Sequence, residues 1–347
     1  MEREMEPLRY RTLFLTERGL RHQQDALNAA PAELDVTILR QPDLATLRPL
    51  LAEAVFLISE RAGVIDRELI AAAPQLKMIL RLGSLAYDID LDAARAAGVI
   101  VSTWPQRGVI MVAEHLMMQM LALVKRLREV EAITAAAGNW GVSRRTDEDT
   151  FAYNWSGRQG IGGLWRQTVG IVGFGEIGAE LARRLRGWEC RVFYNRRRRL
   201  PAWQEQELGI QYAAQDELFS QSDFLVNLLP YFPQTNLALR AEQFAAMKPT
   251  AFLVSCGSGS VLDEAALAEA IRAGQLAGAA LDTFEWEPVK PDNPLRHLAA
   301  EGLRWNVLLT PHTAAGAPAA GVIPTRSDDY VPIRRFLAGE PIAYRLA

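Results

Sequence analysis

The chain has 347 residues, 49% of them hydrophobic and 23% charged, with a formal net charge of −3. That length exceeds what one hydrophobic core usually supports, so two domains of roughly 100–200 residues are expected. The near-neutral balance, with a pI of about 5.9, gives no basic field for a phosphate backbone and argues against nucleic acid as a partner. Cys190 and Cys256 are too few for a disulfide framework and lack the paired spacing of a zinc site, so no metal is expected. The charged start Met1–Glu6 lacks the apolar core of a secretory signal. The longest apolar stretch, Val109–Val124, is interrupted by Glu114 and His115; it reads as a buried helix, too short for a bilayer span. A cytoplasmic, membrane-free location is the resulting expectation.

Short apolar runs alternate with amphipathic segments over the first hundred residues. Thr12–Thr16, Val36–Leu39, Val55–Ser59, Met78–Leu82 and Val99–Ser102 read as strands. Ile65–Ala73 and Asp90–Ala97 read as helices, the second stopped by Gly98. Such alternation implies an α/β fold, a parallel sheet with helices on both faces. A long helix from Met111 to Ala137 leads to a second alternating unit, with strands at Val169–Val172, Arg191–Tyr194, Phe224–Leu228, Ala251–Ser255, Ala279–Asp282 and Val307–Thr310. Between helix and strands lies Gly138–Arg166, too polar for a core element but carrying Trp140, Phe151, Tyr153, Trp155 and Trp165. It reads either as a surface loop or as an arm that packs on a second subunit.

The most informative motif is Gly173-Phe174-Gly175-Glu176-Ile177-Gly178, placed between a buried-strand pattern and the helical pattern Ala179–Leu185. In that context Gly173 permits a tight turn and Gly175 lets backbone approach a pyrophosphate. Gly178 lets helix and strand pack closely, with the helix N-terminus facing the anion. The next strand ends in Asn195, followed by Arg196, Arg197, Arg198 and Arg199. An acidic residue there would bind the adenosine ribose hydroxyls and repel a 2′-phosphate, whereas a neutral amide followed by guanidiniums suits the phosphate. The cofactor expected is therefore NADP, with NAD as the alternative. Four arginines cannot all reach one phosphate, so Asn195, Arg196 and Arg197 are the expected contacts.

Taken with Val112-Ala113-Glu114-His115, Met247-Lys248-Pro249, Val261–Leu267, Gly278–Pro288 and Asn306–His312, this turn resembles the D-isomer-specific 2-hydroxyacid dehydrogenases over nearly the whole chain. The resemblance implies two Rossmann-like domains with parallel sheets and an active-site cleft between them. Residues 1–108 and 317–347 would form the substrate domain and 109–316 the dinucleotide-binding domain. It also implies a homodimer, a small-molecule substrate, and reversible hydride transfer at a carbon bearing a hydroxyl or keto group. His312, in the Thr-Pro-His motif, would be the acid/base, held by Glu287 of the Glu-Pro motif. An imidazole beside a carboxylate suits proton transfer on its own chemistry as well. Asp282 would lie beside the nicotinamide carboxamide, with a structural capping role as the other reading, and Leu229, Pro230, Cys256 and Gly257 along the cofactor. His22 and His297 read as exposed, and His115 as a satisfied helix residue.

The pattern breaks at the arginine that in this family holds the substrate carboxylate. Counting from Met247 and back from Asp263 gives Ser258 at that position. The loop that cradles a carboxylate on backbone amides reads Gly83-Ser84-Leu85, with leucine where glycine is common. Val109 stands at a threonine position. Arg107 is the first candidate for a replacement cation and Arg81 the second. Three functions follow. The first is an NADP-dependent oxidoreductase for a carbonyl or hydroxyl compound that is not a standard 2-oxo acid. The second is a 2-oxo acid reductase using Arg107, and the third a dinucleotide-responsive binding protein without turnover.

Overall fold

Each strand expected from the apolar runs is present, within two residues of its expected ends, in a computed structural model that describes residues 9–60, 63–136, 138, 140–149, 153–301, 304–317 and 325–347. Met1–Glu6, Ala137 and Phe151 lie outside these residues. The chain divides into two compact units, residues 1–107 with 317–347 and residues 108–316.

The first unit holds β1 (Tyr10–Thr16), β2 (Leu34–Arg40), β3 (Phe56–Glu60), β4 (Met78–Leu82) and β5 (Ile100–Trp104), all parallel in the order β2-β1-β3-β4-β5. β3 and β4 are buried along their whole length, which is why they read as unbroken runs rather than alternating patterns. The helices between the strands are α1 (Leu20–Asn28), α2 (Leu44–Leu51), α3 (Arg67–Ala71) and α4 (Leu91–Ala96). Asp43, Asp66 and Asp90 start the last three, each carboxylate accepting a first-turn amide at 2.8–2.9 Å.

The second unit begins with α5 (Arg107–Val124) and α6 (Leu127–Ala135). One continuous helix was expected here, but it breaks at Arg126, where φ is 51° and the side chain turns back onto Glu129. By length and apolar composition α5 does reach what a bilayer crossing requires, contrary to the expectation from its sequence. One face, including Ala113, Leu116, Gln119, Met120 and Leu123, is nevertheless buried inside the protein. Gly138–Arg166 has neither helix nor strand among its described residues, and Trp140 and Trp155 are exposed with ring centroids 5.5 Å apart.

There follow β6 (Thr168–Val172), α7 (Glu176–Leu185), β7 (Arg191–Asn195), α8 (Ala202–Leu208), β8 (Ile210–Tyr212), α9 (Gln215–Gln221) and β9 (Phe224–Asn227). The unit ends with α10 (Ala241–Ala245), β10 (Phe252–Ser255), α11 (Glu264–Arg272), β11 (Gly278–Leu281), α12 (Pro294–Ala300) and β12 (Val307–Leu309). The sheet is parallel in the order β12-β11-β10-β9-β6-β7-β8, so chain progression reverses around β6, the switch point where such sheets bind ligands. β8, three residues at the sheet edge, gave too short a run to be recognised from sequence.

The chain then returns to the first unit through α13 (Val331–Leu337). Tyr330 and Ile333 join Phe14, Phe56 and Met78 in its core, and the Tyr330 hydroxyl donates to the Ala26 carbonyl at 2.8 Å.

Gly278 is buried in β11, where a Cβ would fall on the Asn306 carbonyl. That carbonyl belongs to the backbone and cannot swing away. Gly278→Ala should therefore lower stability by about 1–3 kcal/mol, while Gly19→Ala, with open space and φ of −71°, should change it little. Urea midpoints measure both, and equal midpoints would contradict the packing described.

Candidate active site

In the second unit the loops after β6, β9, β10, β11 and β12 interlock. Gly173 has φ of 82°, and a Cβ there would meet the Leu229 amide nitrogen at 2.5 Å, so the first turn of the glycine motif lies directly on the loop after β9. Its amide and that of Phe174 donate to the Asn195 carbonyl at 3.1 and 3.2 Å, fastening the same turn to the end of β7. Gly175 precedes the ten-residue α7, and a Cβ placed on it meets nothing within 4 Å. That open space before a helix N-terminus is what close approach of a pyrophosphate requires. Glu176 and Ile177, half-buried, form the first turn of α7. At Gly178 a Cβ would press on the Phe174 ring, at 2.9 Å, so this glycine admits the ring of the turn itself.

At the end of β7, the Asn195 carboxamide donates to the Ala213 carbonyl at 2.8 Å. Arg196 is half-buried, and the Arg197 guanidinium lies 5.3 Å from the centroid of the Phe232 ring. Arg199 binds both carboxylate oxygens of Glu205 at 2.8 Å, and Tyr194 donates to the same carboxylate at 2.7 Å. Arg199 is thus committed within the fold, as the argument from crowding anticipated for part of the arginine run.

Leu229 accepts the Ser258 amide at 2.9 Å, and Pro230 beyond it is exposed. Cys256 and Gly257 follow β10; the Cys256 thiol donates to the Gln119 carboxamide oxygen at 3.7 Å, and burial, helped by the Asp282 carboxylate, pushes the thiol's pKa well up. It is therefore a protonated thiol, not a nucleophile. A Cβ on Gly257 would strike the Leu229 carbonyl at 2.8 Å, and one on Gly259 would fall on the Phe284 carbonyl group. The two glycines hold Ser258 between the loops after β9 and β11, and Thr283 donates to the Gly257 carbonyl at 2.6 Å.

The loop after β11 carries Glu287, whose Oε1 accepts the Phe284 amide at 3.0 Å while Oε2 meets His312 Nδ1 at 2.6 Å. His312 is exposed and lies in the left-handed region, with φ of 54°. Asp282 is fully buried. Its Oδ1 accepts the Thr310 hydroxyl at 2.6 Å and the Thr313 amide at 3.0 Å, and its Oδ2 accepts the Ala314 amide at 2.8 Å. Asp282 caps no helix, since the next one begins at Pro294; both its oxygens instead hold the histidine loop. His115, expected to be a bland helix residue, places Nε2 3.1 Å from the Thr310 hydroxyl and 3.6 Å from Asp282. Sequence reasoning also passed over Glu264, which accepts the Glu285 amide at 2.9 Å and pairs with Asn293, so it holds the Glu287 loop. His115, Glu264 and Thr310 all fall within the motifs that carry the family resemblance, but nothing local to any of them indicates these contacts.

In the first unit, the Gly83 amide donates to the Trp104 carbonyl at 2.9 Å, which removes it as an anion donor. Ser84 and Leu85 are buried beside it. Arg81, the second candidate cation, is buried in β4 and paired with Asp88, which leaves it unavailable to a ligand. Arg107 is exposed and enters no ion pair with a described residue. His22 and His297 are exposed, as expected.

Residues 117–314 match the family described as D-isomer specific 2-hydroxyacid dehydrogenase, NAD binding domain. The chain is 35% identical over 289 residues to a glyoxylate reductase of Thermococcus onnurineus, a match covering 82% of this chain and 81% of that one. It is 32% identical over 297 residues to a D-3-phosphoglycerate dehydrogenase of Mycobacterium leprae, of which it spans 52%. Among solved structures, the PH0520 protein of Pyrococcus horikoshii superposes with a TM-score of 0.54 at 27% identity, over 98% of this chain and 95% of that one.

Burial holds the His115 imidazole below its ordinary value of 6.5, a shift that Asp282 opposes without cancelling. The unfolded chain thus binds the proton more tightly than the fold does. Stability from this group is present above 6.5 and is lost as pH falls from 6.5 through the depressed folded value. Urea midpoints at about pH 7.5 and about pH 5.5 should therefore fall less in His115→Gln than in wild type. An equal fall would contradict the assignment.

Proposed function

Because the chain belongs to the D-isomer specific 2-hydroxyacid dehydrogenase family, oxidoreductases built on a nicotinamide-dinucleotide domain, we propose that it transfers hydride between NADP and a small carbonyl or hydroxyl compound that lacks the carboxylate of a 2-oxo acid. The glycine turn from Gly173 to Gly178 would hold the pyrophosphate, and the bound dinucleotide supplies or accepts the hydride. His312 moves the matching proton. Its Nδ1 is engaged by Glu287, which orients the ring and leaves Nε2 to face the reacting oxygen.

The observation that carries the substrate reading is the absence of any lysine or arginine from residues 227–235, 256–260, 282–288 and 310–316, the loops around His312 and Ser258. A carboxylate bound there would lose the charge-assisted contact that arginine supplies to the family. The second reading, a 2-oxo acid reductase, is favoured by Arg107, exposed and without an ion pair among described residues. The relatives named glyoxylate reductase support it too, since glyoxylate is a 2-oxo acid. A binding protein without turnover is disfavoured by the intact His312–Glu287 pair. Preference for NADP is supported by Asn195 at the end of β7, with Arg196 and Arg197 after it, in place of an acidic residue.

NADPH should bind more tightly than NADH, and Asn195→Asp combined with Arg196→Ala should move the ratio of dissociation constants toward NADH by about tenfold or more. Tighter binding of NADH by the wild type would overturn the assignment. Substrate class is read at Ser258. If the native substrate lacks a carboxylate, Ser258→Arg should lower native turnover and improve binding of 2-oxo acids. If Arg107 serves as the cation, Arg107→Ala should raise KM for a 2-oxo acid by about tenfold or more, and Ser258→Arg should partly restore it. Kinetics unaltered by Ser258→Arg toward every substrate would remove this residue from the reacting centre.

A further inference from the structure

The acid/base histidine sits on a strained piece of backbone. A non-glycine residue at φ of 54° persists only where its surroundings over-determine it. For His312 the visible restraints are the next two amides, Thr313 and Ala314, both donating to Asp282. That carboxylate has a third donor, the Thr310 hydroxyl at 2.6 Å. An ionised carboxylate cannot donate, so the hydroxyl proton points at Asp282, its other acceptor being the more distant Leu281 carbonyl at 3.4 Å. The Thr310 oxygen then faces His115 as an acceptor, and His115 must present Nε2–H to it across 3.1 Å.

The rest of α5 agrees with this orientation. Gln119 follows His115 by one helical turn on the same face, is fully buried, and meets Cys256. Two polar side chains on an otherwise apolar helix face are thus aimed at the loops after β10, β11 and β12. Burial disfavours the charged form of the imidazole, which suits a neutral single donor.

We propose that His115 is a positioning residue for the reaction. As the Nε2–H tautomer it fixes the Thr310 hydroxyl on Asp282, and Asp282 in turn holds the amides that set the backbone of His312. The inference rests on the proposed role of His312, and one arm of its test reads the loop without any turnover.

That arm is amide hydrogen exchange at Thr313 and Ala314, followed by NMR on the full chain. Exchange at both should accelerate by about tenfold in His115→Ala and in Thr310→Val, with no further gain in the double variant. His115→Gln, whose carboxamide nitrogen reaches about where Nε2 lies, should keep wild-type protection; His115→Asn, which mimics Nδ1, should not. The second arm is kinetic. His115→Ala should lower kcat by about tenfold while the dissociation constant for NADPH stays within about twofold, and His115→Gln should recover most of the loss.

Unchanged protection in both His115→Ala and Thr310→Val would overturn the proposal. So would equal loss in His115→Gln and His115→Ala, since the donor would then not be the cause. If the alanine variant does not fold, Thr310→Val and the Gln/Asn pair decide the same question. Absence of turnover in the wild type would defeat the functional proposal and leave the exchange arm in force.

Discussion

A carboxylate with no solvent exposure is costly unless every lone pair it turns inward is met. Asp282 receives three donors, one hydroxyl and two backbone amides, all from the chain segment that follows β12. β11 and β12 are neighbours in the sheet, so their ends lie side by side, and Asp282 converts that adjacency into a fixed loop. The amides it captures are those immediately after His312, which forces that residue through a left-handed conformation. A conformation of that kind costs about 1–3 kcal/mol and is maintained by the network around it. The loop leaving the same strand carries Glu287, whose carboxylate is steadied by the Phe284 amide before it reaches the imidazole. The His312–Glu287 pair is therefore a consequence of how two parallel strands end.

The same logic extends across the sheet. Leu229 lies between Gly173 and Gly257, and Gly259 admits the Phe284 carbonyl group. Each close approach is permitted by a missing Cβ, so the loops after β6, β9, β10 and β11 interlock through backbone rather than through side chains. Side-chain identity is thereby freed at the positions between them. Ser258 is one such position, so its side chain can vary without disturbing the frame that holds His312. At the other end of the sheet the arginine run divides its labour. Arg199 is bound to Glu205 and fastens Tyr194, while Asn195, Arg196 and Arg197 stand at the end of β7 beside the glycine turn.

Much of this was legible in the sequence where the physical cause was local. β3, β4, β6 and β9 are buried on both faces and announce themselves as unbroken apolar runs. The glycine turn was readable because strand, turn and helix are contiguous, and the His312–Glu287 pair because each partner lies in a motif. What escaped had a non-local cause. The break at Arg126 is the local exception: the apolar spacing continues across it as a helix, while φ reaches 51° and the side chain pairs with Glu129 three residues on. β8 exists because β7 offers it an edge. His115 and Thr310 are 195 residues apart, and Glu264 reaches Glu285 across 21, so no spacing rule connects them.

The central claim is that His312 carries the proton for hydride exchange with a dinucleotide held elsewhere in the same unit. The most direct measurement pairs turnover with NADPH affinity in His312→Ala. The account predicts that turnover falls by about a hundredfold or more while the NADPH dissociation constant stays within about twofold of wild type. Turnover that survives the substitution, or affinity that collapses with it, would contradict the separation of proton transfer from cofactor binding on which the account depends.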